Sequence, residues 1–128
     1  MSSYIIDASA WVEYFDGTEL GRKVKEIVEN SNNDIHTTII TIAEVASHFT
    51  RRGYDFHEAK RVMISLSTID YFTVDTAEET GILYAHLRKE REKISLADIF
   101  VLVNAQKINA KVLTKDKDFK GFKEALLL

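Results

Sequence analysis

Ile94-Ser95-Leu96-Ala97-Asp98-Ile99-Phe100-Val101-Leu102-Val103 carries a single charge, Asp98, between aliphatic and aromatic neighbours. A segment this apolar reads as a buried helix, hydrophobic nearly all the way round. An ionised carboxylate almost never sits in such surroundings unless something compensates it. Further on, Lys111-Val112-Leu113-Thr114 reads as a short strand, and Lys115-Asp116-Lys117-Asp118-Phe119 follows it. A buried helix, a strand and then more acid pose one question: what offsets the negative charge. The chemistry of the residues points to a divalent cation.

The rest of the chain supplies a frame for that helix. Tyr4-Ile5-Ile6-Asp7 reads as a buried strand ending in an acid, followed by small residues and a turn into Trp11-Val12-Glu13-Tyr14-Phe15. From Thr18 to Ser31, Leu20, Val24, Ile27 and Val28 recur at helical spacing. Ile35 to Ile40 is β-branched and strand-like. Thr41 opens an expected helix through Phe49, closed near Gly53, and Asp55 begins another through Leu66. Tyr71-Phe72-Thr73-Val74 reads as a third strand, and Thr76-Ala77-Glu78-Glu79 as a capping box opening a helix to about Lys93. Ala125 to Leu128 suits an edge strand. Strands alternating with helices predict an α/β fold, a three-layer sandwich with a mostly parallel sheet and helices on both faces.

Composition narrows the chemistry. A length of 128 residues suits one domain, residues 1–128, with a core that needs no staples. Without cysteine, disulfides, thiolate zinc sites and cysteine nucleophiles are all excluded. No stretch reads as a signal peptide or as membrane-spanning, so the expected setting is cytoplasmic, with no membrane partner. The net charge of −3 gives no overall footprint for nucleic acid, so any such binding needs local cationic patches.

In open parallel sheets, ligands bind beyond the carboxyl ends of the strands. Asp7 ends the first strand, Glu44 falls in the first turn of the helix after the second, Asp98 in the first turn of the buried helix, and Asp116 after the following strand. All four are thereby expected on one edge. Two like charges about 4 Å apart repel by about 4 kcal/mol at the effective dielectric of a protein surface. Uncompensated, one or more would take up protons near neutral pH. Oxygen-only ligands suit hard cations, Mg²⁺ or Mn²⁺. Each acid also has an ordinary structural reading. Thr41 to Glu44 and Ser95 to Asp98 have capping-box spacing, and Asp116 and Asp118 suit Asx turns. Capping alone does not explain acids converging on one edge.

These pieces together, Tyr4-Ile5-Ile6-Asp7-Ala8-Ser9, Thr41-Ile42-Ala43-Glu44-Val45, Ser95-Leu96-Ala97-Asp98 and Val112-Leu113-Thr114-Lys115-Asp116-Lys117-Asp118-Phe119, resemble the PIN-domain family, in particular its small VapC-type toxins. The resemblance implies a metal-dependent ribonuclease, the toxin of a toxin–antitoxin pair. Asp7, Glu44, Asp98 and Asp116 would be catalytic and hold one or two Mg²⁺ or Mn²⁺ ions. Ser9 and Thr114 would orient carboxylates or water, with Asp118 supporting the metal or fixing the turn before Phe119. An RNA substrate, a VapB-type antitoxin and a homodimer are also implied, with products bearing 5′-phosphate and 3′-hydroxyl ends.

Lys115 and Lys117 flank Asp116 and are the favoured RNA-backbone contacts, ahead of the Arg51–Arg52, Lys60–Arg61 and Arg88–Lys89 pairs. His48 follows Glu44 by four residues and shares its expected helix face. A haloacid-dehalogenase-type phosphatase would want a second aspartate where Ser9 stands, and a receiver domain would want paired acids near its start. The remaining alternative is a non-catalytic PIN-like module that binds RNA or protein.

Overall fold

Ile5 and Ile6 are adjacent and both fully buried, yet they belong to different clusters, because successive strand residues point to opposite faces. The chain builds a helical layer over each face. The computed structural model describes residues 2–128. Its elements in order are β1 (Ser3–Ile6), α1 (Ala8–Asp16), α2 (Glu19–Val28), β2 (Asp34–Thr38), α3 (Ile39–Arg51), α4 (His57–Leu66), β3 (Thr68–Asp70), α5 (Val74–Leu87), α6 (Leu96–Ile108), β4 (Lys111–Thr114), a 3₁₀ turn at Lys117–Phe119 and β5 (Ala125–Leu127).

The five strands form one sheet in the order β3-β2-β1-β4-β5, and every neighbouring pair is parallel. The chain winds outward from β1 to β2 and β3, then crosses back to β4 and β5. The order therefore reverses between β1 and β4, where open α/β sheets leave a crevice for ligands. On one face Trp11, Val24, Val45 and Met63 of α1 to α4 pack on Ile6, Ile35 and Leu113. On the other, Val101 and Ala105 of α6 cover Ile5 and Val112. Outside α6, Leu83, Tyr84 and Leu87 of α5 pack against Ile99, Leu102 and Val103. The α/β sandwich expected from the sequence is the observed fold. Among the described residues, no helix is long and apolar enough to cross a membrane.

Three boundaries differ from the sequence reading. The helix expected from Thr41 starts at Ile39, because the Thr38 hydroxyl already accepts from the Thr41 amide (3.2 Å). The Thr41–Glu44 capping box therefore does not form, and Glu44 lies in the second turn of α3 rather than its first. The third strand is Thr68–Asp70, not Tyr71–Val74; Tyr71 and Val74 stand 74% and 86% exposed. Polar ties decide this register. Asp70 receives a hydrogen bond from the Asn104 amide (2.7 Å) and contacts His36 Nδ1 (2.9 Å). The next helix is capped by Thr73, three residues before the expected Thr76, and ends at Leu87 instead of reaching Lys93.

Candidate metal centre

Asp7, the residue after β1, stands at the reversal point, with its amide bonded to the Leu113 carbonyl (3.0 Å). Its Oδ2 accepts from Thr114 Oγ1 (2.8 Å) and Ser9 Oγ (3.0 Å). Those two hydroxyls also accept backbone amides of the segment after β4: Asp116 N–H donates to Thr114 (2.9 Å) and Lys115 N–H to Ser9 (3.1 Å). Ser9 and Thr114 thus lock the end of β1 to the loop bearing Asp116.

Asp98 enters from α6. Ser95 and Asp98 form a full capping box: the Asp98 amide donates to Ser95 Oγ (3.1 Å) and the Ser95 amide to Asp98 Oδ2 (2.9 Å). Asp116 has a turn role too, since its Oδ1 accepts the Asp118 amide (2.9 Å). The structural readings of these acids are therefore real, and each occupies only one carboxylate oxygen. Among the described residues, no fully buried side-chain oxygen or nitrogen lacks a hydrogen-bond partner. The second oxygens of Asp98 and Asp116 make no hydrogen bond among the described residues. Carboxylate oxygens of Asp98, Asp116 and Asp118 lie within 4.8 Å of one another, a spacing one cation can span.

Electrostatics ties Glu44 and Asp7 to the same group. Burial, then the charges of Asp7, Asp98 and Asp116, push Glu44 up to about 7. Burial raises Asp98 to about 6 against its Ser95 hydrogen bonds, with Asp7 and Asp116 adding repulsion. Burial raises Asp7 as well, opposed by Thr114 and Ser9 and reinforced by Asp116. Without a cation, these acids hold protons well above the ordinary carboxylate range. The donor set is oxygen throughout, so it fits a hard divalent ion, as the sequence chemistry required.

The lysines separate. Lys115 Nζ pairs with Glu13 Oε2 (3.0 Å), and Thr18 Oγ1 donates to the other oxygen of that nearly buried acid (2.9 Å). Lys117 has no ion-pair partner among the described residues and lines a hollow with Lys93 and Asp118. Sequence reasoning passed over Glu13, although it sits in an apolar run just as Asp98 does, and that was the usable signal. It also missed Arg91, which donates to the carbonyls of Lys120 (2.8 Å) and Asp118 (3.3 Å) and lies over the Phe122 ring (4.1 Å). No local pattern announces that clamp. A larger cleft of about 520 Å³, walled by Tyr14, Arg61, Ile64 and Leu66 among others, contains none of these acids. Converging carboxylates, not cavity size, mark the site.

Solved structures share this fold over nearly their whole length. A toxin–antitoxin complex from Klebsiella pneumoniae aligns with TM-score 0.72 at 23% identity, over 96% of this chain and 95% of that one. VapC20 of Mycobacterium tuberculosis, described as a sarcin–ricin loop cleaving toxin, aligns with TM-score 0.74 at 18% identity, over 94% and 97%. VapBC2 from Rickettsia felis, bound to a DNA fragment from its promoter, gives 0.72 at 18%, over 98% and 97%. No curated protein matches the chain in sequence. The family profile described as PIN domain matches residues 4–125, nearly the entire chain. With that span and this crevice of acids, the chain belongs to the PIN-domain family.

Proposed function

We propose that this chain is a metal-dependent endoribonuclease, with Asp7, Glu44, Asp98 and Asp116 as its catalytic carboxylates. One observation carries the reading: Asp98, Asp116 and Asp118, from separate segments, have carboxylate oxygens within 4.8 Å of one another, and Glu44 feels the charges of Asp7, Asp98 and Asp116. Those four residues, with Asp118 beside them, would hold one or two Mg²⁺ or Mn²⁺ ions. When bound, such an ion polarises a phosphodiester and lowers the pKa of water at neutral pH. The protein's part is to orient. Ser9 and Thr114 fix the Asp7 carboxylate, Ser95 fixes Asp98, and the Asp118 amide fixes Asp116, so the carboxylates are set before substrate arrives. Glu44 makes no side-chain hydrogen bond among the described residues, which leaves its carboxylate uncommitted within the protein. Lys117 stands ready for RNA backbone, while Lys115 is shared with Glu13.

The kinship of fold with toxin–antitoxin structures supports a toxin role, with a VapB-type antitoxin as partner. Exposed Tyr71, Val74 and Ile82 support a homodimer of single-domain chains. The test is direct. Short RNAs are incubated with Mn²⁺ or with chelator, using wild type and Asp98→Asn. Cleavage should require Mn²⁺ and fail in the variant. Cleavage indifferent to both would refute the mechanism, and no cleavage of any RNA would favour a binding module.

A further inference from the structure

Resting on the ribonuclease reading above, we propose that an RNA strand crosses the acid cluster between two cation-lined clefts. Arg51 holds a backbone phosphate on one side, and Lys93 with Lys117 hold one on the other. The first cleft, about 290 Å³, is walled by Ser9, Glu44, His48, Arg51 and Lys115 among others. The second, about 230 Å³, is walled by Arg91, Lys93, Lys117 and Asp118, with Glu92 and Ile94. Each cleft contains a different member of the acid group, Glu44 or Asp118, and no residue lines both. Glu44 in the first feels the charges of Asp7, Asp98 and Asp116, and Asp118 in the second has a carboxylate oxygen within 4.8 Å of Asp98 and Asp116, so the acids connect the two clefts.

Which cations are available follows from their partners. Arg52 is held by Asp16 (3.0 Å) and lies over the Tyr54 ring, Arg91 is committed to backbone carbonyls, and Lys115 is paired with Glu13. Among the described residues, Arg51, Lys93 and Lys117 make no side-chain ion pair or hydrogen bond, and all are exposed. These are the side chains left for an outside anion. His48 adds a second donor to the first cleft. Its Nε2 contacts Arg52 Nη1 (3.2 Å), and a guanidinium only donates, so the ring proton in this arrangement sits on Nδ1.

Spacing says which phosphate is served. Glu44, His48 and Arg51 follow one another by four and then three residues, one face of α3. Arg51 thus stands about 10 Å along the helix axis from Glu44, which suits a phosphate beside the one at the cluster. A flanking phosphate needs such help, because the carboxylates repel it over roughly the 8 Å screening length of physiological salt.

The test uses the full chain with Mn²⁺ and a short single-stranded RNA that wild type cleaves. In a companion set, one flanking phosphate at a time is a neutral methylphosphonate. Arg51→Ala, and Lys93→Ala with Lys117→Ala, should each raise KM about tenfold with kcat nearly unchanged. Each should flatten the dependence of log(kcat/KM) on log salt by about 0.7 for every phosphate the variant no longer neutralises. The Arg51→Ala penalty should vanish when one phosphate on one side of the cleavage point is neutral. The lysine penalty should vanish only for a phosphate on the other side. Arg51→Lys should recover part of the loss, and melting temperatures should match wild type. Unchanged KM, penalties that survive every methylphosphonate, or penalties that vanish at one shared phosphate would overturn the track. If wild type cleaves no RNA, the ribonuclease reading falls and the track with it.

Discussion

At the scale of single residues, the controlling fact is that partly desolvated carboxylates feel one another's charge. Glu44 near 7 and Asp98 near 6 stand above their ordinary values of 4.5 and 3.8. Between the unfolded and folded values, the folded chain binds more protons, so its stability declines as pH rises through that window. The metal-free melting temperature should therefore fall from pH 5 to pH 8, and differential scanning calorimetry reads this directly; a curve that rises would contradict the repulsion. Asp98→Asn preserves the acceptor for the Ser95 amide while removing a charge. At pH 8 without metal it should melt no lower than wild type, yet Mn²⁺ should no longer raise its melting temperature. Its kcat/KM on RNA should fall by roughly a hundredfold or more. A variant that melts far lower and still responds to Mn²⁺ would make Asp98 a cap and nothing else.

At the scale of elements, two placements depend on contacts distant in sequence. Gly21 of α2 passes so close to α1 that a β-carbon there would fall on the Glu13 carbonyl. Gly21→Ala should cost roughly 1–3 kcal/mol in urea unfolding and disturb the Glu13–Lys115 pair. An unchanged midpoint would mean that the two helices separate freely. Arg91 clamps the segment between Asp118 and Phe122 from outside the metal site. Arg91→Ala should weaken Mn²⁺ binding by roughly tenfold, with Arg91→Lys close to it, because an ammonium does not reproduce the fork. Calorimetric titration distinguishes this from a general loss of stability, which would lower melting without changing affinity.

At the scale of the molecule, the architecture was legible because the strong signals agreed. The long apolar run around Asp98 and the short apolar β1 mark buried elements, and α2 is fixed by its helical period. Asp98 stood out as a charge in an apolar run, and burial there raises its pKa. Boundaries were not legible where local preference and tertiary contact disagree. Ile39 and Ile40 favour strand, yet Thr38 caps a helix there. Tyr71 to Val74 favours strand, yet Asp70, held to His36 and Asn104, places the edge three residues earlier. The partners of Lys115 and Arg91 were invisible, since each lies tens of residues away. The proposed catalysis and substrate track both stand on the acid cluster being a seat for a hard cation. Titrating the chain with Mn²⁺ while following free Mn²⁺ by electron paramagnetic resonance tests that most directly. Saturable binding of one or two ions, displaced by Mg²⁺ and abolished in the Asp98→Asn, Asp116→Asn double variant, is the predicted result. No saturable binding at millimolar Mn²⁺, or binding that the double variant leaves intact, would contradict it.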